Sequence, residues 1–472
     1  MDTLIRSGDG EDLFLVSNTP LPRTRTRSRL HGLKSLEGPP QRSLVLSGSP
    51  YDQGFEHGYL LGEEIMAVLN DVIVPFYNDH LTEEVTLAGG ATGYQAARAL
   101  TTLFDYSGEF AVYLEELGGI VDGVQANPLT NGLVFDDAYE EPMALADIMA
   151  MQLVDDLWGT GCKSAAVWPV GPSGVDGIYH LSIIDWLSSL GRYNLIVAYD
   201  NEADPDRMSW IGTSWSGNTG GFMIGLNEIA GVYSYVSSGG ELRSCPDTIE
   251  NCIDTRLAAL SGLTIHSNAF VTRRVIERAT DVDVAHGMLV GEETMTVSGF
   301  TGTSPPQMGA TRAAVFEYVY PGIETLWSAT YDFFDTDADP NLEERLAADD
   351  PNVGGLPILV STAYMNKIYE PKVGSKWGPV YGPLRDELVA AYPNIDAPTI
   401  TAIIEDPTHD PLFYFPDLTI QLTVVEPFVG MGNNMSIIEV LFATEDGPHV
   451  FHENASRGRY TWDDVFFGQS TR

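Results

Sequence analysis

Cys162 is the residue of this chain best placed to do chemistry. It follows Gly159-Thr160-Gly161 and precedes a run of small residues, Ser164-Ala165-Ala166-Val167. A Gly/Pro/Ser turn, a second apolar run from Ile178 to Ile184 and the pair Asp185-Trp186 come next. The pattern predicts a helix end, a strand with the thiol at its first residue, a hairpin, and a returning strand that ends in a carboxylate. Glycine before the thiol lets the backbone bend until the sulfur can reach the carbonyl of Gly161. Cleavage there would free an α-amino group of pKa roughly 7.7–8.0, and that amine can serve as base for its own thiol. Three cysteines are present, and Cys245 and Cys252 bracket SCPDTIENC, a loop that one disulfide could close if the geometry allows. Cys162 is then the odd thiol, a candidate for reactivity, the alternative being an inert packed side chain.

Other chemistries are poorly served. The sequence has no GxSxG elbow, no HExxH, no Walker loop and no paired CxxC. No GxGxxG follows a strand and opens a helix, which disfavours a doubly wound dinucleotide fold. Asp335, Asp337, Asp339 and Asn341 alternate as in a calcium loop, but Pro340 stands where the turn needs glycine and Leu346 where it needs a closing Glu. A solvated acidic loop is the expectation, and neither metal nor organic cofactor is implied. His57, inside a glycine-patterned helix, reads as a packed, hydrogen-bonded histidine rather than a base.

Positioning these residues takes a large core, and 472 residues with 44% hydrophobic content supply one. The net charge is −41, from 66 acidic against 25 basic residues, and the lysines are Lys34, Lys163, Lys367, Lys372 and Lys376. Acids spread over the whole length repel nucleic acid and anionic membranes. They also fit a protein of a high-salt organism, where screening relieves the self-repulsion. The tract RTRTRSR, Arg23 to Arg29, is expected to lie against an acidic face of its own fold. No apolar run approaches the ~18–20 residues of a membrane span. The N-terminus lacks the basic start of a signal peptide, which leaves a cytoplasmic location or export with the leader absent. The expected partner is a small-molecule amide or acyl substrate, and a homo-oligomer stays open.

Residues 1 to 41 read as irregular. Arg42 to Ser47 reads as a strand turned by Gly48-Ser49-Pro50 into a helix whose Gly54, Gly58 and Gly62 make one bare face. Helical patterns follow at 95–104, 110–124 and 143–158, so the chain up to Gly161 is mainly helical. Strand-like runs then occupy 164–168, 178–184, 194–199, 208–211, 221–224 and 231–236. Helix returns at 270–279 and 282–289, and a strand-rich block at 313–330. A strand at 358–361, helices at 383–392 and 397–404, and strands at 418–427, 435–442 and 450–451 complete the chain. This order predicts an α+β fold with sheets sandwiched between helices.

Several separated pieces resemble one family. Gly48-Ser-Pro-Tyr-Asp-Gln-Gly-Phe-Glu-His-Gly58 looks like the GxPxxxGxxHG opening of the acyl-coenzyme A:6-aminopenicillanic acid acyltransferase-like proteins, which are cysteine N-terminal-nucleophile hydrolases. Gly161-Cys162-Lys163-Ser164 is similar to their (D/G)C(T/S)S cleavage point. Asp176-Gly177 with Asp185-Trp186 is similar to DGxxxxGRNxDW, one residue shorter here. Gly225-Leu-Asn-Glu-Ile-Ala-Gly231 resembles GMNExG, and Val275-Ile-Glu-Arg-Ala-Thr280 resembles LERATT. The set keeps its order from Gly48 to about Thr280, with a fainter echo at Val360 to Asn366.

The resemblance implies a four-layer αββα sandwich and a precursor that cleaves itself before Cys162. Residues 1–161 would be a propeptide or α chain, and 162–472 the αββα catalytic domain, or β chain. The mature enzyme would act on linear amides. Carried over by position, Cys162 is the nucleophile, its freed amine the base, and Asp185 the carboxylate that orients the amine. Where the family has GRN this chain has Leu181-Ser182-Ile183, so an arginine beside the thiol is missing. The TNHF oxyanion segment is represented most nearly by Thr362-Ala-Tyr-Met-Asn366, making Asn366 the candidate oxyanion donor. Asn227 reads as a structural turn residue. A phospholipase-B-like branch of the superfamily, and a catalytically dead binding module with this fold, are the alternatives.

Overall fold

Alternating apolar and small residues in this chain are resolved into two large sheets and two short two-stranded ribbons. The computed structural model describes residues 3–6, 13–16, 28–81, 92–136, 139–154, 156, 161–167, 170–171, 174–175, 178–185, 187–220, 224–237, 265–289, 298–304, 313–322, 325–332, 358–362, 381–392, 394–406, 419–427, 436–443 and 455–468. The larger sheet has eleven strands in the order Thr3–Arg6, Leu13–Val16, Arg29–Leu33, Gln41–Ser47, Asn194–Asp200, Trp210–Trp215, Ile224–Asn227, Val232–Ser237, Ser298–Thr303, Ala313–Gly322 and Thr325–Asp332. Its neighbours are antiparallel except Gln41–Ser47 against Asn194–Asp200, where a parallel pairing joins chain from the two sides of Cys162. The smaller sheet has six antiparallel strands, ordered Ile358–Thr362, Gly161–Val167, Tyr179–Asp185, Thr419–Glu426, Ile437–Phe442 and Ser456–Thr461.

The sheets meet through both apolar and hydroxyl-bearing residues. Val45, Ile196, Ala198, Ile211, Ile224 and Leu226 of the larger sheet share one buried cluster with Val425, Ile438, Val440 and Phe442 of the smaller. Polar bridges cross the same gap. Ser164 and Thr301 hydroxyls lie 2.5 Å apart, and Gln421 Nε2 donates to Asn194 Oδ1 at 2.8 Å. Burial leaves such groups no water, and the Ser164 hydroxyl and the Gln421 amide N–H find their partners on the facing sheet.

Helices pack on these sheets. Pro50–Ala67 begins at a capping box: Ser49 Oγ accepts the Asp52 N–H, the Asp52 carboxylate accepts the Ser49 N–H, and Pro50 supplies a helical φ. It lies along Ala111–Ala126, and the bare glycine face is the reason they come so close. A Cβ on Gly54 would stand 1.9 Å from the Glu116 carbonyl oxygen, and one on Gly123 would stand 2.1 Å from that of Phe55. Asn268–Arg278 packs on Ile224–Asn227 and Val232–Ser237, and Ala397–Glu405 on Thr419–Glu426. The fold is therefore a mixed α/β one with several sheets. Among the described residues, no helix is long and apolar enough to cross a membrane.

One expectation needs correction. Residues 1 to 41 are not wholly irregular, since Thr3–Arg6, Leu13–Val16 and Arg29–Leu33 are strands. RLHGL has weak strand propensity of its own, and its pairing with Gln41–Ser47 supplies what composition does not. The chain before Gly161 accordingly contributes sheet as well as helix. The strand Ser456–Thr461 and helix Trp462–Phe467 stand outside the elements the pattern predicts, although Thr461 and Asp464 form a capping box that the sequence does carry. The basic tract up to Arg27, the calcium-like segment, Cys245, Cys252 and Val450-Phe451 lie outside the described residues.

Candidate active site

Gly161–Val167 is an inner strand of the six-stranded sheet, flanked by Ile358–Thr362 and Tyr179–Asp185. Gly161 opens it and Cys162 is its second residue, one place later than the sequence pattern predicts. Cys162 is buried and sits across from Ile184, while Gly161 sits across from Asp185. The returning strand therefore brings the backbone of Asp185 level with the peptide bond that precedes the thiol. Its register with Thr419–Glu426 shifts between Ile184 and Asp185, a local irregularity that re-aims the end of the strand. The side chain of Asp185 and all of Asn366 lie outside the described part, as do Trp158, Trp168 and Trp186.

Strand alternation assigns the faces. Ser164 reaches Thr301 of the larger sheet, so Cys162, two residues earlier, lies on the same inter-sheet pleat. Lys163 is buried on the opposite pleat with Ala165 and Val167, and so does not replace an arginine on the thiol's face. Further along the inter-sheet pleat, His180 is fully buried between two hydroxyls, with Nε2 2.7 Å from Ser234 Oγ and Nδ1 3.2 Å from Thr303 Oγ1. Burial depresses its pKa to about 3, because a charge there would lose its hydration. The inter-sheet face is thus lined by neutral hydroxyl and imidazole groups around an apolar middle.

The other sequence-derived residues have structural work. Asn227 Nδ2 donates to the carbonyls of Ile276 and Ala279, and its Oδ1 accepts the Gly231 N–H. It ties the turn to the following helix, as a turn residue should. His57 is fully buried, and its Nε2 accepts the Gly217 N–H at 3.1 Å. Burial, with Arg273 nearby adding to it, holds its pKa at about 3, so it stays neutral.

One constellation escaped the sequence reading. Arg273, wholly buried, forms an ion pair with Glu116 at 2.7 Å, donates to Glu277 at 2.9 Å and to the Thr219 carbonyl at 2.8 Å, and its guanidinium lies 4.1 Å from the Tyr199 ring centroid. Tyr199 Oη donates to Glu116, and Trp210 Nε1 and Tyr113 Oη to Glu277. The only local signal was Arg273 and Glu277 at i, i+4 on one helix. Glu116 and Tyr199 come from distant segments, which spacing cannot reveal. With Arg207 3.7 Å from Glu277 balancing the second carboxylate, and all of these side chains buried, the cluster reads as a structural knot rather than a ligand site.

Among the described residues, no group of three or more His, Cys, Asp or Glu side chains could hold a metal ion. Comparison with models of known protein families gives no match, and comparison with curated proteins gives none either.

Proposed function

We propose that the chain is a self-processing cysteine N-terminal-nucleophile hydrolase, or acyltransferase, acting on linear amides. The observation that supports it best is the placement of Cys162. A thiol stands second in an inner strand, directly after a glycine whose backbone faces Asp185 across the ladder. On this reading the two facing sheets and the helices packed on them are the four-layer αββα sandwich.

The Cys162 thiol attacks the Gly161 carbonyl carbon, its proton passes to the nitrogen of Cys162, and the C–N bond breaks to give a thioester and a free amine. Water hydrolyses the resulting thioester, which leaves a Gly161 carboxylate and restores the Cys162 thiol with a free α-amine. In turnover that amine takes the thiol proton, and the thiolate attacks the substrate amide carbonyl. The tetrahedral intermediate collapses with protonation of the leaving amine. Water, or an acceptor amine, then releases the acyl group. Asp185 orients the α-amine, and Asn366 is the candidate donor to the oxyanion.

Intact mass of freshly purified protein, with N-terminal sequencing, tests this. Two fragments, one ending at Gly161 and the other beginning Cys-Lys-Ser-Ala, are expected, and none in Cys162→Ala. A wild-type chain that stays uncut at high salt overturns the mechanism. Side-by-side hydrolysis of amide and ester substrates then separates amidase action from lipid hydrolysis.

A further inference from the structure

Arg207 stands at the rim of the buried knot and balances Glu277 in charge but not in hydrogen bonds. Its side chain is 1% exposed, its Nε donates to Asp204 Oδ2 at 2.7 Å, and its Nη1 lies 3.7 Å from Glu277 Oε1, beyond hydrogen-bond reach. Among the described residues neither Nη1 nor Nη2 has a hydrogen-bond partner. Arg278, the last residue of Asn268–Arg278, is a second cation beside it, since the charges of both arginines act on Asp204 and on Tyr113. Arg278 Nη1 donates to Glu109 at 2.9 Å, while its Nε is buried and unpartnered. The neighbouring carboxylates are already engaged. Glu277 Oε1 accepts from Arg273 Nε and Trp210 Nε1, Glu277 Oε2 accepts from Tyr113 Oη, and Asp204 Oδ1 accepts the Asp206 N–H.

We propose that Arg207 and Arg278 form a binding site for a small monovalent anion, chloride. The unmet groups of both side chains are N–H donors, and a guanidinium can do nothing but donate. A buried donor left unmet costs the desolvation of that group, so the pair calls for an acceptor. The planar fork of Arg207 directs its two Nη groups at one acceptor, and a charged acceptor makes the stronger bond. A water would bring donors of its own to a place where the neighbouring carboxylates are engaged, whereas an anion brings none. A monatomic ion fits better than phosphate, whose further oxygens would need donors that these two residues do not offer. The net charge of −41 repels anions in general, so a bound one marks a specific site. The ion would fasten the segment before Trp210–Trp215 to the helix end, where the Met208 N–H already donates to the Glu277 carbonyl at 2.7 Å. This inference is independent of the chemistry at Cys162.

Two measurements test it. Crystals soaked in sodium bromide should show an anomalous peak within hydrogen-bond reach of the Arg207 Nη atoms and Arg278 Nε. Thermal unfolding in sodium chloride should be compared with unfolding in sodium gluconate, whose anion is too large for the site, at equal ionic strength. Screening is then the same in both salts. The midpoint should be higher in chloride by about 2 °C, with the saturation of a single site. Arg207→Gln should abolish this increment and Arg278→Gln should reduce it, while Arg192→Gln, which removes an exposed arginine, should keep it. A wild-type crystal without a bromide peak at Arg207, or with a water in its place, overturns the proposal. So does an increment that Arg207→Gln retains in full. A peak with no chloride increment in solution marks binding at crystal concentration only and overturns it too. If Arg207→Gln fails to fold, the wild-type bromide map and Arg278→Gln decide.

Discussion

Arg273 Nη2 stands 2.7 Å from Glu116 Oε2, with both side chains wholly buried, and this contact ties the helix Ala111–Ala126 to the helix Asn268–Arg278. A pair so deep cannot be hydrated if either partner is lost. Glu116→Ala should therefore destabilise the protein by about 3–5 kcal/mol, because Arg273 is then left to share the single buried carboxylate of Glu277 with Arg207. Replacing Arg273 and Glu116 together by apolar residues should cost less than the sum of the single changes. Urea unfolding of the four forms at fixed salt measures both effects.

The packing of Pro50–Ala67 on Ala111–Ala126 depends on missing side chains. A Cβ on Gly58 would stand 2.2 Å from the Ile120 carbonyl oxygen, while one on Gly118 meets nothing within 4 Å. Gly58→Ala should cost about 1–3 kcal/mol by forcing the helices apart. Gly118→Ala should be neutral or stabilising by up to ~1 kcal/mol, since alanine is the better helix former. Thermal melts of the pair compare the two directly.

Acid should destabilise the fold through its buried imidazoles. The folded-state pKa of His57 and of His180 is lowered to about 3, against 6.5 for a free histidine. Between those values the unfolded chain binds more protons, so stability is complete above pH 6.5 and is lost as pH falls toward 3. From pH 7 to pH 5 each histidine should cost about 2 kcal/mol. Glu56 acts in the opposite sense, because burial raises its pKa to about 7 and favours its protonated form in the fold. His180→Gln should flatten the pH dependence of the unfolding free energy over this range without removing the Glu56 contribution.

A net charge of −41 predicts self-repulsion that salt relieves. The unfolding midpoint should rise between about 0.1 M and 1 M sodium chloride, well beyond one Debye length of screening. A midpoint that does not move would mean that the acids are already neutralised within the fold.

The sequence by itself determined most elements and the residue at which chemistry is sought. Val282–Leu289 is a helix within the bounds its pattern predicts, and Ala397–Glu405 differs from expectation by one residue, because their apolar periods are local. The strand pair around Cys162 was legible from two apolar runs separated by turn residues. What tertiary structure alone decided was which distant groups meet. The sheet position of Gln41–Ser47 beside Asn194–Asp200, the Glu116–Arg273 knot and the cap that Asp156 places on Ser267 and Asn268 join segments far apart in the chain. No period or spacing encodes such contacts. They arise when buried polar groups must find partners among whatever the packed layers bring within reach.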